Sequence, residues 1–139
     1  MILNKGLEVV MDLAGGLANY VAFTYLMVGT STTAAAVTDT ALGSETTTSG
    51  LARVSVTPTL TDTTTTKDTL QLTNTFTVTG SVTVGEVGVG NAAAAGQLLI
   101  RSVLSPTKAL TSGDSYTLTI QHVQARADNG ISSGPCRVG

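Results

Sequence analysis

Residues 70–79, LQLTNTFTVT, set Leu70, Leu72, Phe76 and Val78 against Gln71, Thr73, Thr75, Thr77 and Thr79. A period of two marks a strand with one face toward a core and one toward water. Asn74 is the one polar intruder on the apolar face. Gly80-Ser81 then fits a two-residue hairpin turn with glycine first, and Val82 and Val84 continue as the return strand. After Gly85 the apolar register moves to Val87 and Val89, as a bulge at that glycine would cause. Further on, Ser115 to Ala127 alternates Tyr116, Leu118 and Ile120 with Thr117, Thr119 and Gln121. Leu98 to Leu104 has an apolar face (Leu98, Ile100, Leu104) and a mixed one (Leu99, Arg101, Val103). Leu51 to Thr59 sets Val54 and Val56 against Arg53, Ser55 and Thr57, with Pro58 at its end or on an edge. The stretches 61–67, 90–96 and 105–114 carry turn chemistry.

The N-terminal half reads differently. Between Asn4 and Gly16, Leu7, Val10, Met11 and Ala14 recur at helical spacing, with Asn4 as the expected N-cap and Gly15-Gly16 as the stop. That stripe should pack on a larger body. Leu17 to Val28, the most apolar run, is too short to cross a bilayer as a helix. Its aromatic residues and length suggest a strand buried on both faces. Lys5 and Ala34-Ala35-Ala36 could be parts of a secretory signal, but Glu8, Asp12 and Gly15-Gly16 interrupt its apolar centre. Gly29 to Gly50, rich in Thr, Ala and Gly, is expected to be a long exposed loop. About six strands and one short helix predict a mainly β fold, an antiparallel β-sandwich or small barrel. The expected organisation is one domain over 1–125, its helix at about 4–16, followed by an extended C-terminal tail at 126–139.

Composition narrows the function. Of 139 residues, 26 are Thr and only 12% are charged, and the net charge is −2. The seven bases are scattered, with no two adjacent, so no basic stripe offers itself to phosphates, and nucleic acid is not an expected partner. A membrane is not expected either. The single Cys136 rules out an intrachain disulfide framework and a cysteine-rich zinc module. The single His122 lies in a strand with no Gly-x-Ser-x-Gly elbow before it, so nucleophilic catalysis has no partner set. Among carboxylates, Asp39 and Glu45 share one loop, and Asp62 and Asp68 flank a Thr run. Neither group has the close alternation of a calcium loop. Residues 85–90, GEVGVG, match a nucleotide fingerprint in their glycines but open no helix. No enzyme activity, metal or cofactor is expected.

Glu86 is the most informative charge, because it falls within an apolar strand where an unpaired carboxylate is costly to bury. Arg53 and Arg101 are the basic residues inside predicted strands. Either Glu86 pairs with one of them and fixes register, or the bulge at Gly85 turns it to solvent; the sequence leaves both open. Glu86, Arg53, Arg101 and, in the long loop, Glu45 are the structural ion-pair candidates.

Several segments together resemble small structural proteins of tailed bacteriophages. They are Gly29-Thr30, residues 39–45 (DTALGSE), Leu51-Ala52-Arg53, residues 84–89 (VGEVGV), residues 98–101 (LLIR) and residues 112–118 (SGDSYTL). The similarity runs from about Leu7 to Val123. It implies a β-rich virion component present in many copies: head decoration or cement, head fibre, or tail part. The expected role is a non-enzymatic capsid decoration or cement subunit on the outer surface, binding the major capsid protein or other virion proteins. A homo-oligomer is expected, a trimer among the forms allowed. The rivals are a tail, neck or baseplate component and a secreted adhesive or carbohydrate-binding sandwich. The chain departs from a fibre shaft in lacking coiled-coil or repeat segments, and it adds a glycine-rich C-terminal stretch.

Overall fold

A computed structural model describes residues 1–63 and 66–124. The elements are α1 (Asn4–Gly15), β1 (Tyr25–Gly29), β2 (Val54–Ser55), β3 (Thr59–Thr61), β4 (Thr69–Thr77), β5 (Val82–Gly90), β6 (Leu98–Leu110) and β7 (Ser115–Val123). The fold is the mainly β sandwich that the periodicity predicts. One sheet has four strands in the order β2-β1-β5-β6 and the other three in the order β3-β4-β7, every pairing antiparallel. The alternating stretch becomes β4, with Leu72, Phe76 and Val78 buried and Thr73, Thr75 and Thr77 on the outer face. These inner residues meet Leu26, Val28, Val84, Val87 and Val89 of the four-stranded sheet and Leu118 and Ile120 of β7 in one core. The expected tail at 126–139 lies outside the described residues, as does Cys136.

Four local expectations need correction. Gly80-Ser81 is not a hairpin turn: β4 pairs with β7 and β3, while β5 pairs with β1 and β6, so the short link crosses between sheets. It is anchored by the Thr79 amide on the Ser49 carbonyl (3.0 Å) and the Val78 amide on the Asp114 carbonyl (2.9 Å). Residues 105–110 are strand rather than connector, since β6 runs on to Leu110. Pro106 is tolerated because β6 is an edge. Third, the expected 51–59 strand is two short pieces, β2 and β3, broken around Pro58. Last, of the 17–28 run only the residues from Tyr25 onward are strand. Gly16 and Ala18 both have φ of 64°, which turns the chain back along the helix. The Asp12 carboxylate fixes that turn by accepting from Asn19 Nδ2 (2.8 Å) and the Tyr20 amide (3.2 Å).

The helix forms where expected but buries another face. Gly6, Val9 and Asp12 are inside, while Leu7 and Met11 of the expected stripe are 53% and 69% exposed. Gly6 decides this. A Cβ there would stand 2.7 Å from the Leu99 carbonyl oxygen, so only a glycine lets α1 lie this close to β6. The N-cap is Leu3, without a side-chain cap, and the Asn4 amide donates instead to the Val37 carbonyl (2.8 Å). Among the described residues no helix is long and apolar enough to cross a membrane.

Candidate functional site

The long segment between β1 and β2 is no free loop. It packs on the outward face of β5, and the sequence of that strand explains how. Val87 and Val89 point into the core, so Glu86, Gly88 and Gly90 share the other face. Every residue from Val84 to Gly90 is buried, because the loop covers what the core does not. A Cβ on Gly85 would come within 2.8 Å of the Thr30 and Ser31 carbonyl oxygens, and one on Gly88 within 2.9 Å of Leu42. Two of the glycines that mimic a nucleotide fingerprint, Gly85 and Gly88, are thus the bed on which the loop lies. The register does break at Gly85, but the extra residues are on β6: Val84 pairs with Lys108 and Glu86 with Val103. The Gly29–Glu45 bridge and the Thr46 amide on the Val28 carbonyl (2.7 Å) carry the loop back along the end of β1.

Glu86 sits under this loop, fully buried. Its Oε1 accepts from Arg101 Nε (2.8 Å) and the Gly43 amide (2.8 Å); its Oε2 accepts from the amides of Ser44 (2.7 Å) and Ser31 (3.2 Å). Arg101 stands opposite Gly88 in the ladder and reaches diagonally to Glu86. Its other nitrogens donate to Asp39 Oδ2 (3.0 Å) and the Thr33 carbonyl (2.8 Å). Asp39 also accepts from the Ala36 amide (2.9 Å). A second arginine works nearby. Arg53 grips both oxygens of Glu45 and donates to the carbonyls of Ala92 (2.8 Å) and Ala95 (3.0 Å). Bidentate guanidinium–carboxylate pairing is the geometry that holds two chain segments in one orientation. All four ion-pair candidates thus fall in two clamps, Glu86 with Arg101 and Glu45 with Arg53. Asp39, a candidate metal ligand by sequence, is the clamp partner that the sequence reading missed. Its pairing with Arg101 spans 62 residues, and no local pattern announces it.

Burial pushes the Glu86 carboxyl up, but Arg101 and the amides of Ser44, Gly43 and Ser31 outweigh it and hold it below the ordinary carboxylate range. The Ala36 amide, aided by Arg101 against partial desolvation, lowers Asp39 too. With four donors on Glu86, the carboxylate has no lone pair left for a substrate proton, and its chemistry is that of a latch. A carboxyl lowered in the fold contributes stability above its unfolded value of about 4.3, and loses that contribution as pH falls through its folded value. Unfolding by urea should therefore show wild-type stability declining below about pH 4. Glu86→Gln should be less stable than wild type at neutral pH, and that deficit should shrink over the same window. Parallel curves for the two proteins would show that Glu86 is not the titrating latch.

The remaining candidates stay apart. His122 lies in β7 opposite Leu70, in the sheet that carries neither clamp. Asp62 accepts from the Lys67 amide (2.7 Å) and Asp68 from the Thr63 amide (2.8 Å), so both shape the β3–β4 turn. Among the described residues no three His, Cys, Asp or Glu side chains gather to hold a metal. Beside the clamped loop, α1 and the loop share a shallow groove of about 300 Å³ lined by Lys5, Glu8, Val37 and Asp39. Leu7, Met11 and Val37 are exposed on these two segments.

A family model described as Podophage GP4 fiber I protein gp80 matches residues 6–126, most of the chain. No curated protein matches. The chain belongs to this podophage fiber family, and it is a structural component of the virion.

Proposed function

We propose that this member of the podophage fiber family is a non-enzymatic docking module, which binds a neighbouring virion protein through the surface made by the clamped loop and α1. The observation that carries this is the pair of arginine clamps. They fix a 24-residue connection (residues 30–53, between the end of β1 and the start of β2) in one conformation, and a surface ordered in advance loses less entropy on binding. Exposed Leu7, Met11 and Val37 supply the apolar part of the contact, and Lys5 and Glu8 its polar rim. The Arg101–Glu86 pair fixes the register of β5 on β6 and seats the loop; it does no chemistry. The acidic balance suits the outer side of the particle better than a surface facing packaged DNA.

The described chain has a twelve-residue helix as its longest and no shaft-forming repeat. That favours a module at the base or junction of a fiber over the shaft itself. The same lack of shaft-forming elements among the described residues supports a second reading, a decoration or cement subunit on the major capsid protein lattice. Localisation and copy number in purified particles separate them. A fiber module should appear at a few discrete positions, and particles lacking it should keep their resistance to heat. Coverage of the whole head, with heat resistance lost in its absence, would establish the cement reading instead. Absence from the purified particle would overturn both.

A further inference from the structure

Of the four outermost strands, three carry recognised protection against edge-to-edge pairing. β2 and β3 are two and three residues long. β6 contains Pro106 and Lys108, breaks its register beyond Val103, and is covered near its start by Met1 to Leu3. There Ile2 bridges Ile100, the Leu3 amide donates to the Leu99 carbonyl (2.9 Å) and the Arg101 amide to the Met1 carbonyl (3.1 Å). Among the described residues, β7 has none of these devices. It is nine residues, SYTLTIQHV, without Pro, Gly or charge, in unbroken register with β4 from Thr69↔Val123 to Thr77↔Ser115. Long, regular and uncharged edges are the ones natural proteins do not leave open unless something pairs with them.

We propose that β7 pairs antiparallel with β7 of a second copy about a twofold axis through Thr119, joining the two three-stranded sheets into one of six. The strand's own pattern selects this occupant. The Gln124 amide bonds to the Asp68 carbonyl on the β4 side (2.9 Å). By antiparallel alternation the even-numbered residues of β7 face β4, and Thr117, Thr119 and Gln121 direct their backbone groups outward. Centred on Thr119, the register sets Thr117 opposite Gln121 of the second copy and Leu118 opposite Ile120 of the second copy. At the centre polar meets polar on the exposed face and apolar meets apolar on the inner one; toward the ends Ser115 meets Val123 and Tyr116 meets His122 of the second copy, and no acidic or basic residues of like sign oppose. Thr73 and Thr75 already bond Thr119 and Thr117 across β4–β7 (2.8 and 2.9 Å), so the new pair extends an existing hydroxyl ladder. A groove of about 390 Å³ lined by Ile100, Leu104, Leu118 and Ile120 opens beside this edge, where the second copy's inner side chains would come to rest. This pairing does not depend on where in the particle the chain sits.

The test is sedimentation of the full chain with hydrogen exchange. The wild type should sediment at twice the single-chain mass of 14.0 kDa, with the Thr117, Thr119 and Gln121 amides protected. Thr119→Lys and Thr119→Glu each place a charge opposite itself on an exposed face. Each variant alone should have half the wild-type mass and lose that protection, and an equimolar mixture should recover the dimer. A monomeric wild type, a dimer that survives both substitutions, or protected amides in a monomer would each overturn the proposal. The last result would mean that the chain covers its own edge. Should one variant fail to fold, the other alone decides.

Discussion

Arg101→Ala should lower the midpoint of thermal unfolding by roughly 10–20 °C. The substitution removes the only cation bonded to Glu86 and Asp39 among the described residues, and it leaves Glu86 fully buried with its charge uncompensated. Breaking one side of such a pair costs about 3–5 kcal/mol, because the orphaned ion keeps its desolvation penalty and loses its attraction. Three separate groups, Glu86, Asp39 and the Thr33 carbonyl, are gripped by one planar fork. An ammonium cannot reproduce that, so Arg101→Lys should recover little. Arg53→Ala should cost less, since Arg53 and Glu45 are partly open to water. Calorimetry of the three variants checks the order. An Arg101→Ala protein melting within a couple of degrees of wild type would remove the clamp from any account of this fold.

Gly85→Ala is the second large effect, at about 1–3 kcal/mol of destabilisation. The added methyl would meet the Ser31 carbonyl oxygen at 2.7 Å and the Thr30 carbonyl oxygen at 2.8 Å, both backbone atoms that cannot swing aside. Relief requires the loop to lift, which draws Ser31 and Ser44 away from Glu86. The same substitution should therefore open the 30–46 loop to limited proteolysis well below the unfolding temperature. A cleavage rate equal to wild type would mean that the loop is held elsewhere than at β5.

Much of the sandwich was legible because its core obeys one rule. Alternation at 70–79 and within 115–127 fixes which side chains of β4 and β7 face inward, whatever the strand order. Strand order itself escaped: Gly80-Ser81 has hairpin chemistry, but whether a return strand joins the same sheet or the opposite one depends on the packing of both. The helix face was misjudged because apolar periodicity assumes that the apolar side is the buried side. Here a close approach at Gly6 outweighs it, and Leu7 and Met11 are left outside. Of the site, Glu86 announced itself as a charge in an apolar strand, with Arg53 and Arg101 as the available cations. The contribution of Asp39, and the role of Gly85 and Gly88 as a bed for the loop, needed the loop's path, which no local pattern encodes.

The arginine that secures the loop belongs to a strand 62 residues farther along the chain than Asp39. Closing so wide a span precedes any reward from the contact itself. The loop's shape therefore depends on a completed β5–β6 pair beneath it. An unfinished polypeptide has no organised outer layer, so under the proposed docking role only finished molecules would be competent to assemble, without a separate inspector.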